Sequence, residues 1–245
     1  GKYTVVETKA PNGMVINKEK HSVELTYAGQ DVAVTETATS FVNERQKVKI
    51  SLEKVLEQNE TFGIGKNDKI KNISFGLYAK EDIVSSSGTV IPADGLIEII
   101  TLDENGTATA NTDLPFGSYY IKEIATDEHY ILSDTQYPFT FEYAGQDTET
   151  VEIKVNDGKP IENKLIYGSV SGKKIDENGE ALGGALIGIF KADETEYTKE
   201  HAIMTATSEK DGSFSFAKVP YGKWIVREIE APEGFVLDED RKSVV

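Results

Sequence analysis

Tyr119-Tyr120-Ile121-Lys122-Glu123 is the stretch on which the fold turns, and it has two counterparts, Tyr3-Thr4-Val5-Val6-Glu7 and Trp224-Ile225-Val226-Arg227-Glu228. On the two-residue period of a β-strand, each Glu shares its face with a β-branched residue two positions back and an aromatic four back. That face is the apolar one. An ionised carboxylate is costly to bury unpaired, so a glutamate placed there three times implies a compensating group each time.

The same alternation aims other polar side chains inward. Val48, Ile50, Leu52 and Lys54 share one strand face, with Lys49, Ser51 and Glu53 opposite. Ile161, Asn163 and Leu165 share another, against Pro160, Glu162 and Lys164. Lys54, Glu123 and Asn163 are therefore expected in one core.

Spacing exposes a repeat. Asn43 precedes Lys54 by the same 11 positions that separate Asn163 from Lys174. Tyr27-Ala28-Gly29-Gln30-Asp31 recurs as Tyr143-Ala144-Gly145-Gln146-Asp147, and Ala10-Pro11-Asn12-Gly13 as Ala231-Pro232-Glu233-Gly234. A period of roughly 105 to 120 residues means tandem domains and not a solenoid of small units. The expected division is the back half of one domain (1–46), a complete domain (47–165) and a third lacking its last strand or strands (166–245).

Composition fits an exported all-β chain. Turn sequences such as Asp103-Glu104-Asn105-Gly106, Glu177-Asn178-Gly179 and Lys210-Asp211-Gly212 punctuate short alternating runs and read as hairpin turns. Asp193 to Ile203 reads as an irregular connection. The net charge of −16 argues against nucleic acid or an acidic membrane surface as partner, since phosphate binding needs clustered Lys and Arg. With no cysteine there is no disulfide to staple the domains. No signal peptide, bilayer-spanning apolar run or sorting motif is legible, so an anchor is expected outside this stretch.

The run Gly168-Ser169-Val170-Ser171-Gly172-Lys173-Lys174-Ile175-Asp176-Glu177-Asn178-Gly179 is followed by Leu182-Gly183-Gly184-Ala185, Asp211-Gly212, Val219-Pro220-Tyr221-Gly222 and Val226-Arg227-Glu228-Ile229-Glu230-Ala231-Pro232-Glu233-Gly234-Phe235. Together they resemble the collagen-adhesin B-type domain, also called Cna-B or SpaA-like, of Gram-positive adhesin stalks and pilus shafts. The middle domain departs from that pattern by about eight extra residues around Asn59 to Lys71, and its Glu strand lacks the Ala-Pro-x-Gly that follows the other two.

The resemblance implies tandem prealbumin-like (immunoglobulin-like) β-sandwich domains with Greek-key type connections, and a self-formed Lys–Asn isopeptide bond in the core. The chemistry of the residues agrees. Burial drives a lysine toward the neutral, nucleophilic amine and raises the pKa of a glutamate, which can then polarise an Asn carboxamide and relay protons as ammonia leaves. Lys54 is assigned as nucleophile, Asn163 as electrophile and Glu123 as proton shuttle.

The outer domains hold partial sites: Glu7 and Asn43 without a lysine strand, Lys174 and Glu228 without an Asn strand. Head-to-tail strand exchange between chains could unite them, even bringing Asn43 to Lys174. Other chemistry is weakly signalled. His21, His129 and His201 lack ligand spacing, Gly63-Ile64-Gly65-Lys66 fails the phosphate-loop pattern, and no cofactor is implied. The expected function is a stalk or shaft segment at the cell wall, contacting neighbouring domains of the same protein. The alternative is an adhesin module that recognises a host extracellular-matrix protein or glycan through loops such as 59–71 or 81–95; apart from Phe62, the aromatics sit mainly in strand patterns, which favours the stalk.

Overall fold

The computed structural model describes residues 1–65, 67–84, 88–237 and 243–244, and the regular elements among them are almost entirely β-strands. Lys66 and residues 85–87 of the loops singled out above lie outside the described residues. Two compact units are present: one of residues 1–53, 74–124 and 134–161, the other of 54–73, 125–133 and 162–245. The division falls within the strands Lys47–Leu56, Gly117–Ala125 and Ile161–Asn163. Segments 54–73 and 125–133, which precede residue 166 in sequence, thus cluster with the last repeat.

In the first unit, Lys2–Val6 and Lys20–Glu24 form a two-stranded antiparallel sheet. Tyr3 and Val5 on this strand are exposed and Glu7 is half-buried, so the apolar face read for this copy is not a core face among the described residues. A two-stranded ribbon has too little covering surface to bury one. A four-stranded antiparallel sheet follows the order Gln136–Phe141, Gly117–Ala125, Ser74–Ala79 and Leu96–Thr101. Another sheet is built on Lys47–Leu56, which pairs in parallel with Thr150–Lys154 and antiparallel with Thr107–Ala110, and also neighbours Ile161–Asn163. Alternation supplies the core. Ile50, Leu52, Phe75, Leu77, Ile100, Ala108, Tyr119, Ile121 and Phe141 are all buried.

Asp103-Glu104-Asn105-Gly106 is a tight turn in which Asp103 Oδ1 accepts from the backbone N–H groups of Asn105 and Thr107. It is not a hairpin, however. Leu96–Thr101 and Thr107–Ala110 belong to different sheets, so the turn carries the chain from one sheet to the other. Lys210-Asp211-Gly212 does the same between Met204–Thr207 and Ser213–Pro220. Turn chemistry specifies a reversal, while strand pairing is settled by which faces can be buried. Gly212, at φ +78, is required there: a Cβ would stand 2.4 Å from the Lys174 carbonyl oxygen.

In the second unit, one sheet runs Met204–Thr207, Leu186–Lys191, Trp224–Glu230 and Ser243–Val244, and a second pairs Tyr167–Lys173 with Ser213–Pro220. The segment 192–203 is irregular, as its sequence suggests. Ala185, Ile187, Ile189, Phe216, Val219, Trp224 and Val226 form the core, and one further buried member comes from far away in sequence: Phe62.

Candidate functional site

Lys54 sits at the inward face of Lys47–Leu56, continuing the buried positions Ile50 and Leu52, and is only 1% exposed. Asn163 ends the short strand Ile161–Asn163 and is 2% exposed. Although 109 positions apart in the chain, the two side chains meet: Lys54 Nζ donates to Asn163 Oδ1 at 2.6 Å. The other end of the carboxamide is held as well, since Asn163 Nδ2 donates to Thr126 Oγ1 at 2.9 Å. The Asn163 carboxamide is thus gripped on both its oxygen and its nitrogen.

Backbone contacts fix these strand ends. The Glu57 N–H donates to the Asn163 carbonyl at 3.0 Å, and the Leu165 N–H donates to Glu57 Oε2 at 2.9 Å. Tyr130 adds its hydroxyl to the Glu57 carbonyl at 3.0 Å and bridges to Leu165. Sequence reasoning missed Thr126, Glu57 and Tyr130. Only Thr126 carried a signal, as a hydroxyl three positions beyond Glu123.

Glu123 is 1% exposed and shares its strand face with buried Tyr119 and Ile121 in the first unit. Burial foremost, and then the negative charge of Glu123, push the Tyr137 phenol above its ordinary range. A lysine, a glutamate and an asparagine, the three buried groups expected from alternation, are all withdrawn from solvent.

A profile of the SpaA prealbumin-like fold domain matches residues 1–39, 60–159 and 168–245. The chain belongs to this family. Among solved structures, it is similar to the Bacillus anthracis TIE protein, with 24% identity and a TM-score of 0.67 over all of this chain and 38% of that one. It is also similar to a streptococcal ancillary pilin (22% identity, TM-score 0.33, all of this chain and 71% of that one). A shaft pilin, SpaA from Lactobacillus rhamnosus GG in its D295N form, matches at 16% identity and TM-score 0.31 over 81% of this chain and 94% of that one. The TIE protein likeness is one of fold, and this chain spans well under half of that protein's length. No curated protein matches the chain.

The residues expected to form partial sites make the following contacts in this SpaA-family chain. Asn43 Nδ2 donates to Glu7 Oε2 at 2.7 Å and to the Val15 carbonyl at 2.9 Å, and the Asn17 N–H also donates to Glu7 Oε2, at 2.6 Å. Lys174 Nζ pairs with Glu228 Oε2 at 3.1 Å, with side chains 26% and 11% exposed. Among the described residues, Glu228 Oε1 is the buried side-chain oxygen left without a hydrogen-bond partner.

His21, His129 and His201 have separate neighbours: Thr39, Asp127 and Glu194. Among the described residues no three His, Cys, Asp or Glu side chains converge as metal ligands, and no helix is long and apolar enough to cross a membrane.

Proposed function

We propose that this chain is a segment of the stalk or shaft of a Gram-positive, cell-wall-anchored adhesin or pilin, displayed outside the cell and stiffened by an isopeptide bond between Lys54 and Asn163. The observation that carries this reading is the 2.6 Å contact between two buried polar side chains 109 positions apart. A lysine in such surroundings favours its neutral form, and the neutral amine is the nucleophile.

In the proposed reaction, Lys54 Nζ attacks the Asn163 carboxamide carbon. The new C–N bond forms as the bond to Nδ2 breaks, and Nδ2 leaves as ammonia with the proton that Nζ gives up. Glu123, buried on its strand, is assigned the transfer of that proton. Thr126, already bonded to Nδ2, holds the leaving nitrogen in place. Proximity within a rigid core supplies much of what a catalyst would, so the chain modifies itself once and does not turn over. Closing a loop of 109 positions stabilises the fold by about 4 to 5 kcal/mol on the chain-entropy scale for cross-links.

Glu7 with Asn43, and Lys174 with Glu228, are assigned as parts of equivalent sites. Completion by a strand from a neighbouring chain, head to tail, is one route. A ladder of linked chains on denaturing electrophoresis supports it, and a lone monomer band removes it.

Intact-mass measurement tests the central assignment. The mass should fall short of the sequence by one ammonia, and Lys54→Ala, Asn163→Ala or Glu123→Ala should restore the full value. An unmodified mass for the parent chain overturns the isopeptide reading. The alternative, a host-ligand module working through loop 59–71, loses its aromatic contact, because Phe62 is 5% exposed.

A further inference from the structure

The insertion that distinguishes the middle repeat is built to present one side chain. Asn59 and Ile64 exchange backbone hydrogen bonds at 2.9 and 3.0 Å, and the Phe62 N–H donates to Asn59 Oδ1 at 3.2 Å. Gly65, at φ +98, closes the loop where a Cβ would lie 2.7 Å from both Gln58 Cα and the Glu57 carbonyl oxygen. The loop therefore carries its own hydrogen bonds, and little further ordering is needed for its tip to dock.

Phe62 belongs to the buried cluster that includes Ile187, Ile189, Trp224 and Val226, and Ile64 packs against that cluster. Its ring meets Trp224 edge-on at 4.8 Å and 73°, and the indole is held by its Nε1–H donating to the Pro220 carbonyl at 2.9 Å. Every other buried member of that core lies between residues 185 and 226. The repeat 166–245 thus completes its interior with an aromatic that precedes it by more than a hundred positions.

A second tie runs beside it. Ile131 donates to the Lys164 carbonyl at 2.9 Å, Ile166 to the His129 carbonyl at 2.8 Å and Tyr221 to the Ile166 carbonyl at 2.8 Å, so the connector 164–166 is bonded on both sides. The His129 ring stands edge-on to Tyr221 at 5.7 Å.

We propose that the loop 57–65, which holds the start of the insertion around Asn59 to Lys71, is an inter-repeat pin: with Phe62 in the core of the repeat 166–245, that repeat opens only together with the strand ends that carry Lys54 and Asn163. Domains joined by a short connector normally move against one another. Here the connector and the pin make one cooperative unit of segments 54–65, 125–133 and 162–230, whether or not the Lys54–Asn163 bond forms. In a stalk, such a joint resists bending without a dedicated linker domain.

The test is native-state hydrogen exchange on the full chain, read alongside fluorescence of Trp224, the chain's single tryptophan. With increasing denaturant, amides of 57–65, Leu186–Lys191 and Trp224–Glu230 should open in one step that coincides with the Trp224 emission change. Phe62→Ala should speed exchange in both strands by roughly 100-fold or more and shift Trp224 emission to the red, while Phe62→Leu recovers most of the protection. Opening of 57–65 at lower denaturant than the two strands overturns the pin. So does faster exchange confined to 57–65 in Phe62→Ala. The unaltered chain decides the matter even where Phe62→Ala fails to fold.

Discussion

Lys54 and Lys174 occupy matching places in successive repeats, yet their surroundings differ. Lys54 is sealed from solvent against an Asn side chain at 2.6 Å, whereas Lys174 keeps a quarter of its side chain exposed and pairs with Glu228 at 3.1 Å. What separates them is the strand Ile161–Asn163. Where that strand pairs beside the lysine strand, it supplies both the apolar cover and the carboxamide. Among the described residues, Lys174 has no such strand, and its glutamate partner retains a buried oxygen with nothing to bind. Lys54 is withdrawn from solvent where a neighbouring strand covers it, and Lys174 is not.

The largest effect that could break this comparison is loss of the proposed cross-link. Asn163→Ala should abolish the ammonia loss and lower Tm by roughly 10 to 20 °C, from the closed-loop term and its conversion to melting temperature. Differential scanning calorimetry beside intact mass checks both, and an unchanged Tm would mean the bond contributes no stability. Glu123→Ala should also leave the mass unmodified while circular dichroism keeps its β signature.

Acylation with an amine-reactive ester sharpens the contrast between the two lysines. In the Asn163→Ala chain, where Lys54 keeps its amine, peptide mapping should find Lys174 labelled at least about tenfold faster than Lys54, because the Lys174 side chain reaches solvent while Lys54 is buried. Equal labelling would erase the distinction. Thr126→Ala should slow the maturation of newly folded protein, followed by time-resolved mass spectrometry, and Thr126→Ser should restore it, since the hydroxyl is what Asn163 Nδ2 binds.

The smallest expected effect is a pH dependence near the connector. Burial alone would raise the Asp127 carboxyl, but hydrogen bonds from His129 and Asn72 and the charge of Lys69 outweigh it and hold Asp127 below its ordinary value. A depressed carboxylate stabilises the folded state above the ordinary range near pH 4, and that contribution is lost as pH falls through the lower folded value. Asp127→Asn should therefore flatten the acid limb of a stability–pH curve below about pH 4 and leave its shape at neutral pH unchanged.

Much of this was legible in advance. Two-residue alternation placed Lys54, Glu123 and Asn163 inward because a paired strand has only two faces, and the burial of all three follows from that constraint. The same rule misjudged Tyr3 and Val5, since alternation says which residues share a face and not whether anything covers it. The turn at Asp103–Gly106 was visible in its Asp and Gly, but that it joins two sheets was not, because local hydrogen bonds carry no record of pairing.

Sequence alone determined the repeated motifs, the all-β class and which polar side chains face inward, each of which depends on spacing along one chain. Tertiary structure decided that Asn163 is held at both ends by Lys54 and Thr126, and that the inserted loop buries Phe62 in the next repeat. Those contacts join residues 109, 37 and more than 120 positions apart. They arise only when burial of apolar surface brings distant strands together, and that condition is written in no local pattern.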